Sequence, residues 1–204
     1  GVDVDADEVV SHDTKHALVN AARHREVDVV VAEHEPLRLR SRLFGDPIDW
    51  VVRHAPCDVL LVDNLGYDRP DHVALAVERG GYPPLSVTVA ETLTAANDGS
   101  LSLWYPLDDD DAEHEQLAEA SRADLSSVLA VPVRAPPALT DGGRRTQPDL
   151  LVRRGVDDRL RAALTTKPRS LPQPGCTTVT VYPHESRQPS LVRRCLERVT
   201  LGRE

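Results

Sequence analysis

The sequence predicts an α/β fold built on a parallel sheet, and three observations carry that prediction. Val27–Val31 and Asp58–Val62 are short, β-branched and continuously apolar, the pattern of strands covered on both faces. Stretches with apolar residues at helical spacing stand before and between them. The same strand–helix rhythm then restarts downstream, as expected of consecutive βαβ units.

Taken in order, the chain opens on a predicted strand, Val2 to Val10. His12 to Arg25 follows as a helix, with Ala17, Leu18, Ala21 and Ala22 on one face and His12 or Asp13 near its cap. Between the first two apolar strands, Leu43, Phe44, Ile48, Val51 and Val52 recur at helical spacing and predict a helix from Leu43 to His54. Asn64 to Asp71 is a turn-rich linker. His72–Glu78 is a strand, and Pro83-Pro84 opens a helix that Asp98-Gly99 stops. Leu101–Tyr105 is the next strand. Asp111 to Val128 is a helix whose first-turn acids complement the helix dipole. Leu129–Val133 is a strand that Pro132 assigns to a sheet edge. Residues 135–147, rich in Pro, Gly and Arg, form a loop.

Length and composition set the outer bounds. The 204 residues, 40% hydrophobic, can fill a core, but aromatics are only 3%, so Val, Leu, Ala and Ile must fill it. No apolar run reaches the roughly 18–20 residues that a membrane span needs, and no basic head with an apolar stretch opens the chain. The net charge of −9 argues against general nucleic-acid binding. There are 21 Asp and 12 Glu, yet only 2 Lys, Lys15 and Lys167, beside 22 Arg. An acidic, Asp-rich, Lys-poor chain resembles proteins adapted to molar salt, where screening removes self-repulsion. Biased codon usage trades Lys for Arg as well. Cys57, Cys176 and Cys195 are too few and too scattered for a disulfide framework, and with no CxxC they predict packing in a reducing compartment.

A weak internal repeat runs through the chain. Val27–Val31 matches Pro148–Val152, and Cys57–Val62 matches Cys176–Val181; Cys57 follows Asp28 by 29 residues, Cys176 follows Asp149 by 27. We therefore read two copies of one α/β unit, the first lacking its beginning: residues 1–66 and residues 67–204.

The stretch Ala17 to Val62 resembles the C-terminal half of a universal stress protein domain. The residues that carry the resemblance are Ala21-Ala22, Val27–Val31, Ser41-Arg42-Leu43-Phe44-Gly45 and above all Val51-Val52-Arg53-His54-Ala55-Pro56-Cys57-Asp58-Val59-Leu60-Leu61-Val62. His72 to Leu107 resembles the opening strand, first helix and second strand of the same family. The resemblance implies a five-stranded parallel sheet of order 3-2-1-4-5 between helices, an adenine nucleotide alpha hydrolase-like sandwich, in dimeric or tandem form. It also implies ATP binding in some members, in the crevice at the strand carboxyl ends. The first copy would then supply strands 3, 4 and 5 without the central two. Another chain could fill that gap, or the strands at 72–78 and 101–105 could pair with those at 27–31 and 58–62. Such domains also occur as cytoplasmic extensions of amino-acid permeases and cation transporters, and the chain's opening fits excision from a longer protein.

Nucleotide-binding members carry G-x2-G-x9-G-[ST] after the fourth strand, where glycines let backbone amides approach phosphates. Here Gly45 matches the last glycine, Asp46 stands in place of Ser or Thr, and the two earlier glycines are missing near Glu33 and Glu35. The second copy offers Arg153-Arg154-Gly155, and its opening strand ends in Glu78 where nucleotide binders of the family carry Asp. These departures predict no cofactor. An altered ATP or AMP site would use Gly45, Asp46 and Glu78.

Other constellations point less far. His12 and His16 stand at i and i+4, superficially like a zinc helix, but no third ligand is evident and a solvated helix turn accounts for them. Glu33-His34-Glu35 fits a hydrated acidic loop. His54 and Cys57 lack an activating third group, and Cys57 holds a packing position. No metal site is predicted. Arg38, Arg40 and Arg42, with Arg53 nearby, form a basic row that could meet phosphate, an acidic lipid surface or an acidic partner, or pair with the chain's own carboxylates. The leading expectation is a non-catalytic cytoplasmic regulatory or assembly domain of a membrane transporter, amino-acid permease-like, acting as a homodimer and through the membrane part of its own longer chain. The alternative is an adenine-nucleotide-binding sensor using Gly45, Glu78 and the arginine row.

Overall fold

In a computed structural model the described residues are 6, 8, 10–33, 47–66, 69–77, 83–104, 111–134, 148–155 and 175–187. The chain divides into two compact units. One holds Gly1–Val30, Leu37–Val59 and Pro183–Glu204; the other holds Val31–Pro36 and Leu60–Tyr182.

The first unit contains α1 (Thr14–His24), α2 (Pro47–His54) and the short α5 (His184–Arg187). Asp13 caps α1, its carboxylate accepting from the His16 amide at 3.4 Å. Arg23 and His24 complement the negative end of the same helix. Val19 and Ala22, one turn apart, are its buried face, and α1 packs on α2. Val51, Val52 and Ala55 are buried in turn. The chain leaves α1 through Glu26 at φ 49°, and the Asp58 amide then donates to the Asp28 carbonyl at 3.2 Å.

Among the described residues seven strands form one sheet: β1 (Val29–Glu33), β2 (Asp58–Asp63), β3 (His72–Ala76), β4 (Ser100–Trp104), β5 (Val133–Arg134), β6 (Leu150–Arg154) and β7 (Thr177–Tyr182). Their order is β1-β2-β7-β6-β3-β4-β5. Strands β1 and β2 each begin in the first unit and end in the second. The pairs β3–β4, β3–β6, β4–β5 and β6–β7 are parallel, with Val73 opposite both Leu101 and Leu150. The five strands from β3 to β7 thus stand in the 3-2-1-4-5 order. This order corrects one arrangement considered above: β3 lies between β4 and β6, so the strands at 72–76 and 100–104 do not pair with those at 29–33 and 58–63.

Two helices of the second unit, α3 (Pro84–Ala96) and α4 (Asp111–Val128), contribute to its core. Along β3, Val73 and Leu75 point into a core with Ala90, Leu101, Leu103, Leu125, Leu150, Val152, Val179 and Val181. Ala74 and Ala76 point the other way, to Leu151, Cys176 and Trp104. Both faces are thus apolar, which is why the strand shows no alternation in sequence. Helix α3 ends at Asn97; Asp98 takes φ 54° and the Gly99 amide donates to the Thr94 carbonyl at 3.0 Å. A side chain at Gly99 would crowd the Pro70 and Asp71 carbonyls, so the glycine is sterically required.

Three other expectations need correction. The strand predicted at 129–133 shrinks to Val133–Arg134, because the Leu129 amide still donates to Leu125 at the end of α4 and Pro132 has no amide to give. Its carbonyl does accept from Leu101, and β5 is an end strand, as Pro132 requires. Strand β1 is not covered on both faces: Val30 is buried, while Val29 and Val31 are exposed. Of the strand predicted at 2–10, residues Ala6, Glu8 and Val10 are described and none is in a strand.

Candidate functional site

In an open parallel sheet, ligands bind beyond the strand carboxyl ends where the strand order reverses. Here that point lies between β3 and β6. The carboxyl ends of the neighbouring strands present Val77, Trp104, Arg154-Gly155 and Tyr182. Val77 is buried and its amide donates to the Trp104 carbonyl at 2.8 Å; the Gly155 amide donates to the Val181 carbonyl at 2.7 Å. Above Gly155 lies the ring of Tyr182, so close that a Cβ there would overlap the ring carbons. Gly155, at the carboxyl end of β6, therefore admits an aromatic ring of the same chain.

Beside it the Arg153 Nε donates to the Thr180 hydroxyl at 3.0 Å, and its guanidinium stands 4.0 Å from the Asp63 carboxylate. The three residues form a polar row across β6, β7 and β2, on one level of the sheet. The row contains no nucleophile–base pair.

A second polar cluster occupies the amino ends of the strands. The His72 Nε2 and the Ser102 hydroxyl are 2.6 Å apart, and the His72 amide donates to the Asp149 carboxylate at 2.9 Å. Burial holds the His72 imidazole below its ordinary value; Asp149 opposes that shift and Arg134 adds to it. Burial also pushes the Cys176 thiol up to about 11, with the charge of Asp149 adding to the effect. A thiol so shifted is inert at neutral pH. Ser102 is only 1% exposed, so its contact with His72 braces β3 against β4 and offers no substrate a hydroxyl.

In the first unit, Trp50 gathers three basic side chains. The His54 ring stacks on it at 4.1 Å, the His16 ring tilts against it at 4.3 Å, and the Lys15 ammonium lies 5.8 Å from its centre. His16 also pairs with Asp13 at 2.8 Å, and that contact is the main reason the Asp13 carboxyl sits below its usual range. His54 contacts the Trp50 carbonyl at 2.8 Å, while Cys57 is buried. Arg53 donates to the Asp49 carbonyl at 3.1 Å and lies 3.9 Å from its carboxylate.

The residues that the sequence nominated most directly, Gly45, Asp46, Glu78, Arg38, Arg40 and Arg42, lie outside the described residues, as do His34 and Glu35. Sequence reasoning missed Tyr182, the Arg153–Asp63 pair and the His72–Ser102 contact. Only strand register joins residues 27 to 90 positions apart, and no local pattern announces it. The Trp50 cluster carried a signal, since Trp50 and His54 stand at i and i+4 and Lys15-His16 opens α1. Among the described residues no three His, Cys, Asp or Glu side chains cluster closely enough to hold a metal ion, and no helix is long and apolar enough to cross a membrane.

Residues 1–63 match the family model "Universal stress protein family". No curated protein matches the sequence. Among solved structures, the cytoplasmic domain of a prokaryotic cation chloride cotransporter is similar at a TM-score of 0.50 and 15% identity, over 89% of this chain and 72% of that one. A universal stress protein from Archaeoglobus fulgidus DSM 4304 gives a TM-score of 0.49 at 10% identity, over 81% of this chain. The chain spans 64% of that protein's length. The fold is a mostly parallel α/β sheet with helices, as in the cotransporter domain.

Proposed function

We propose that these residues form a non-catalytic regulatory and assembly domain, working on the cytoplasmic side of a membrane transporter through protein contacts. The observation that carries this reading is the Tyr182 ring over Gly155: the backbone that would face a phosphate in the second copy faces an aromatic side chain. The neighbouring cation, Arg153, is directed to Thr180 and Asp63. Similarity to a cotransporter's cytoplasmic domain supports the transporter setting. In this reading the chain carries a tandem of two related units, self-associates as a homodimer, and keeps its fold best in concentrated salt.

Calorimetric titration of ATP and AMP into the purified chain in molar KCl tests the reading. No heat up to millimolar nucleotide is the expected result. Micromolar binding that Gly45→Trp abolishes would overturn it and make the chain a nucleotide sensor. The transporter setting is tested separately: deleting these residues from the encoded protein should change the rate of solute uptake, and an unchanged rate would refute it.

A further inference from the structure

His72 opens β3, the strand that lies between β4 and β6. Its side chain shares a face with Ala74 and Ala76, since side chains alternate along a strand. In the ladders Ala74 stands opposite Ser102, and Ser102 stands opposite Arg134. His72, Ser102 and Arg134 therefore line one face of the sheet across β3, β4 and β5. The His72 Nε2 is 2.6 Å from the Ser102 hydroxyl, which belongs to a residue only 1% exposed. Burial is the first influence on the charge of the imidazole. Among the described residues the charged groups that also act on it are Asp149, just before β6, and Arg134, on β5. Asp149 favours the imidazolium and Arg134 opposes it. The Cys176 thiol, also beside Asp149, stays neutral.

The joints on the two sides of His72 differ in strength. Toward β6 the backbone is clamped twice: the Asp149 amide donates to the His72 carbonyl at 3.0 Å, and the His72 amide donates to the Asp149 carboxylate at 2.9 Å. Toward the other end, β5 is two residues long and stands last in the strand order. The Leu101 amide, donating to the Pro132 carbonyl at 3.0 Å, fastens its start to β4. Arg134 is exposed, so its side chain can swing into water without crossing the core. Burial holds the imidazole below its ordinary value, so a proton binds more tightly once water reaches the site. Opening at Asp149 would part that proton from its favourable charge. Opening at β5 would instead remove the unfavourable one. The weaker joint is thus also the one that the charge pushes apart.

We infer that His72, Ser102, Arg134 and Asp149 form a proton-sensitive clasp: with His72 neutral β5 is held in the sheet, and a proton on His72 releases β5 from β4. Release opens the edge of β4 at Leu101 and Ser102, while β3, β6 and β7 keep their ladders. An imidazole titrates at about 6.5 in water, so the clasp works in mildly acidic solution. It stands apart from the contact-making reading above and holds whether or not the chain binds a nucleotide.

Hydrogen exchange of the 204-residue chain at about pH 8 and about pH 5.5, expressed as protection factors so that intrinsic rates cancel, tests it. The reporters are two backbone amides: Leu101, bonded to Pro132, and Asp149, bonded to His72. Acid should lower the protection of Leu101 on the order of tenfold and leave that of Asp149 within about twofold. The loss at Leu101 should vanish in His72→Gln. It should shrink in Arg134→Gln, a change at an exposed position, and that variant decides if His72→Gln does not fold. The inference is overturned if the protection of Leu101 ignores pH, or if Leu101 and Asp149 lose protection together. An Arg134→Gln variant that responds to acid as fully as the parent chain would overturn it too. Nucleotide binding in the calorimeter would refute the proposed function without changing any of these exchange results.

Discussion

The two ends of the parallel sheet make different use of their polar residues. At the carboxyl ends, the gap at Gly155 is closed by the Tyr182 ring, and Arg153 is spread between a hydroxyl and a carboxylate. At the amino ends, burial shifts the His72 imidazole and the Cys176 thiol toward their neutral forms, with Asp149 opposing the first shift and adding to the second.

Several changes would break or sharpen this contrast. The largest effect is expected midway between the ends: Leu75→Ala, at a fully buried position, should cost about 2–5 kcal/mol in urea unfolding. That loss sets the scale for both ends. Gly155→Ala should cost about 1–3 kcal/mol, because its new methyl group must displace the Tyr182 ring. Adding Tyr182→Ala to that variant should recover part of the loss, and a strictly additive double-mutant cycle would refute closure by this ring.

At the other end Ser102→Ala removes a buried hydroxyl from His72 and should cost about 1 kcal/mol. The same histidine makes the amino end sensitive to pH. Its pKa is lower in the folded chain than the ordinary 6.5, so the unfolded chain binds the proton first as pH falls. Stability should therefore drop as pH falls through 6.5, and His72→Gln should flatten that part of the profile. An unchanged profile would show that the histidine does not titrate between the two states. The smallest effect is expected for Asp63→Asn, about 0–1 kcal/mol, since the pair with Arg153 is partly exposed and 4.0 Å apart.

Much of this fold is legible in the sequence because its signals are local. The runs read at 72–78, 101–105 and 148–152 become strands at 72–76, 100–104 and 150–154, and the 111–128 helix is found with the predicted ends. Pro132 marks an end strand because a missing amide excludes a central place in any sheet. The site is legible only in outline. Gly155 is noticeable as a lone glycine, yet nothing around it says that a ring from residue 182, on a different strand, fills the space above it.

Val27–Val31 and Pro148–Val152 state the division most clearly. Their side chains dictate extended, β-branched strands in both places, since χ1 restriction and apolar character act within a few residues. The sequence alone determines that much, together with the helices, the acidic charge and the apolar character of the core. It does not determine that Val152 is sealed while Val31 is 61% exposed. Burial belongs to whichever strand and helix arrive alongside, and the tertiary structure brings β3 and α3 to β6. The same holds for Tyr182 on Gly155 and His72 on Ser102, contacts that exist only because strand order and register set distant residues side by side.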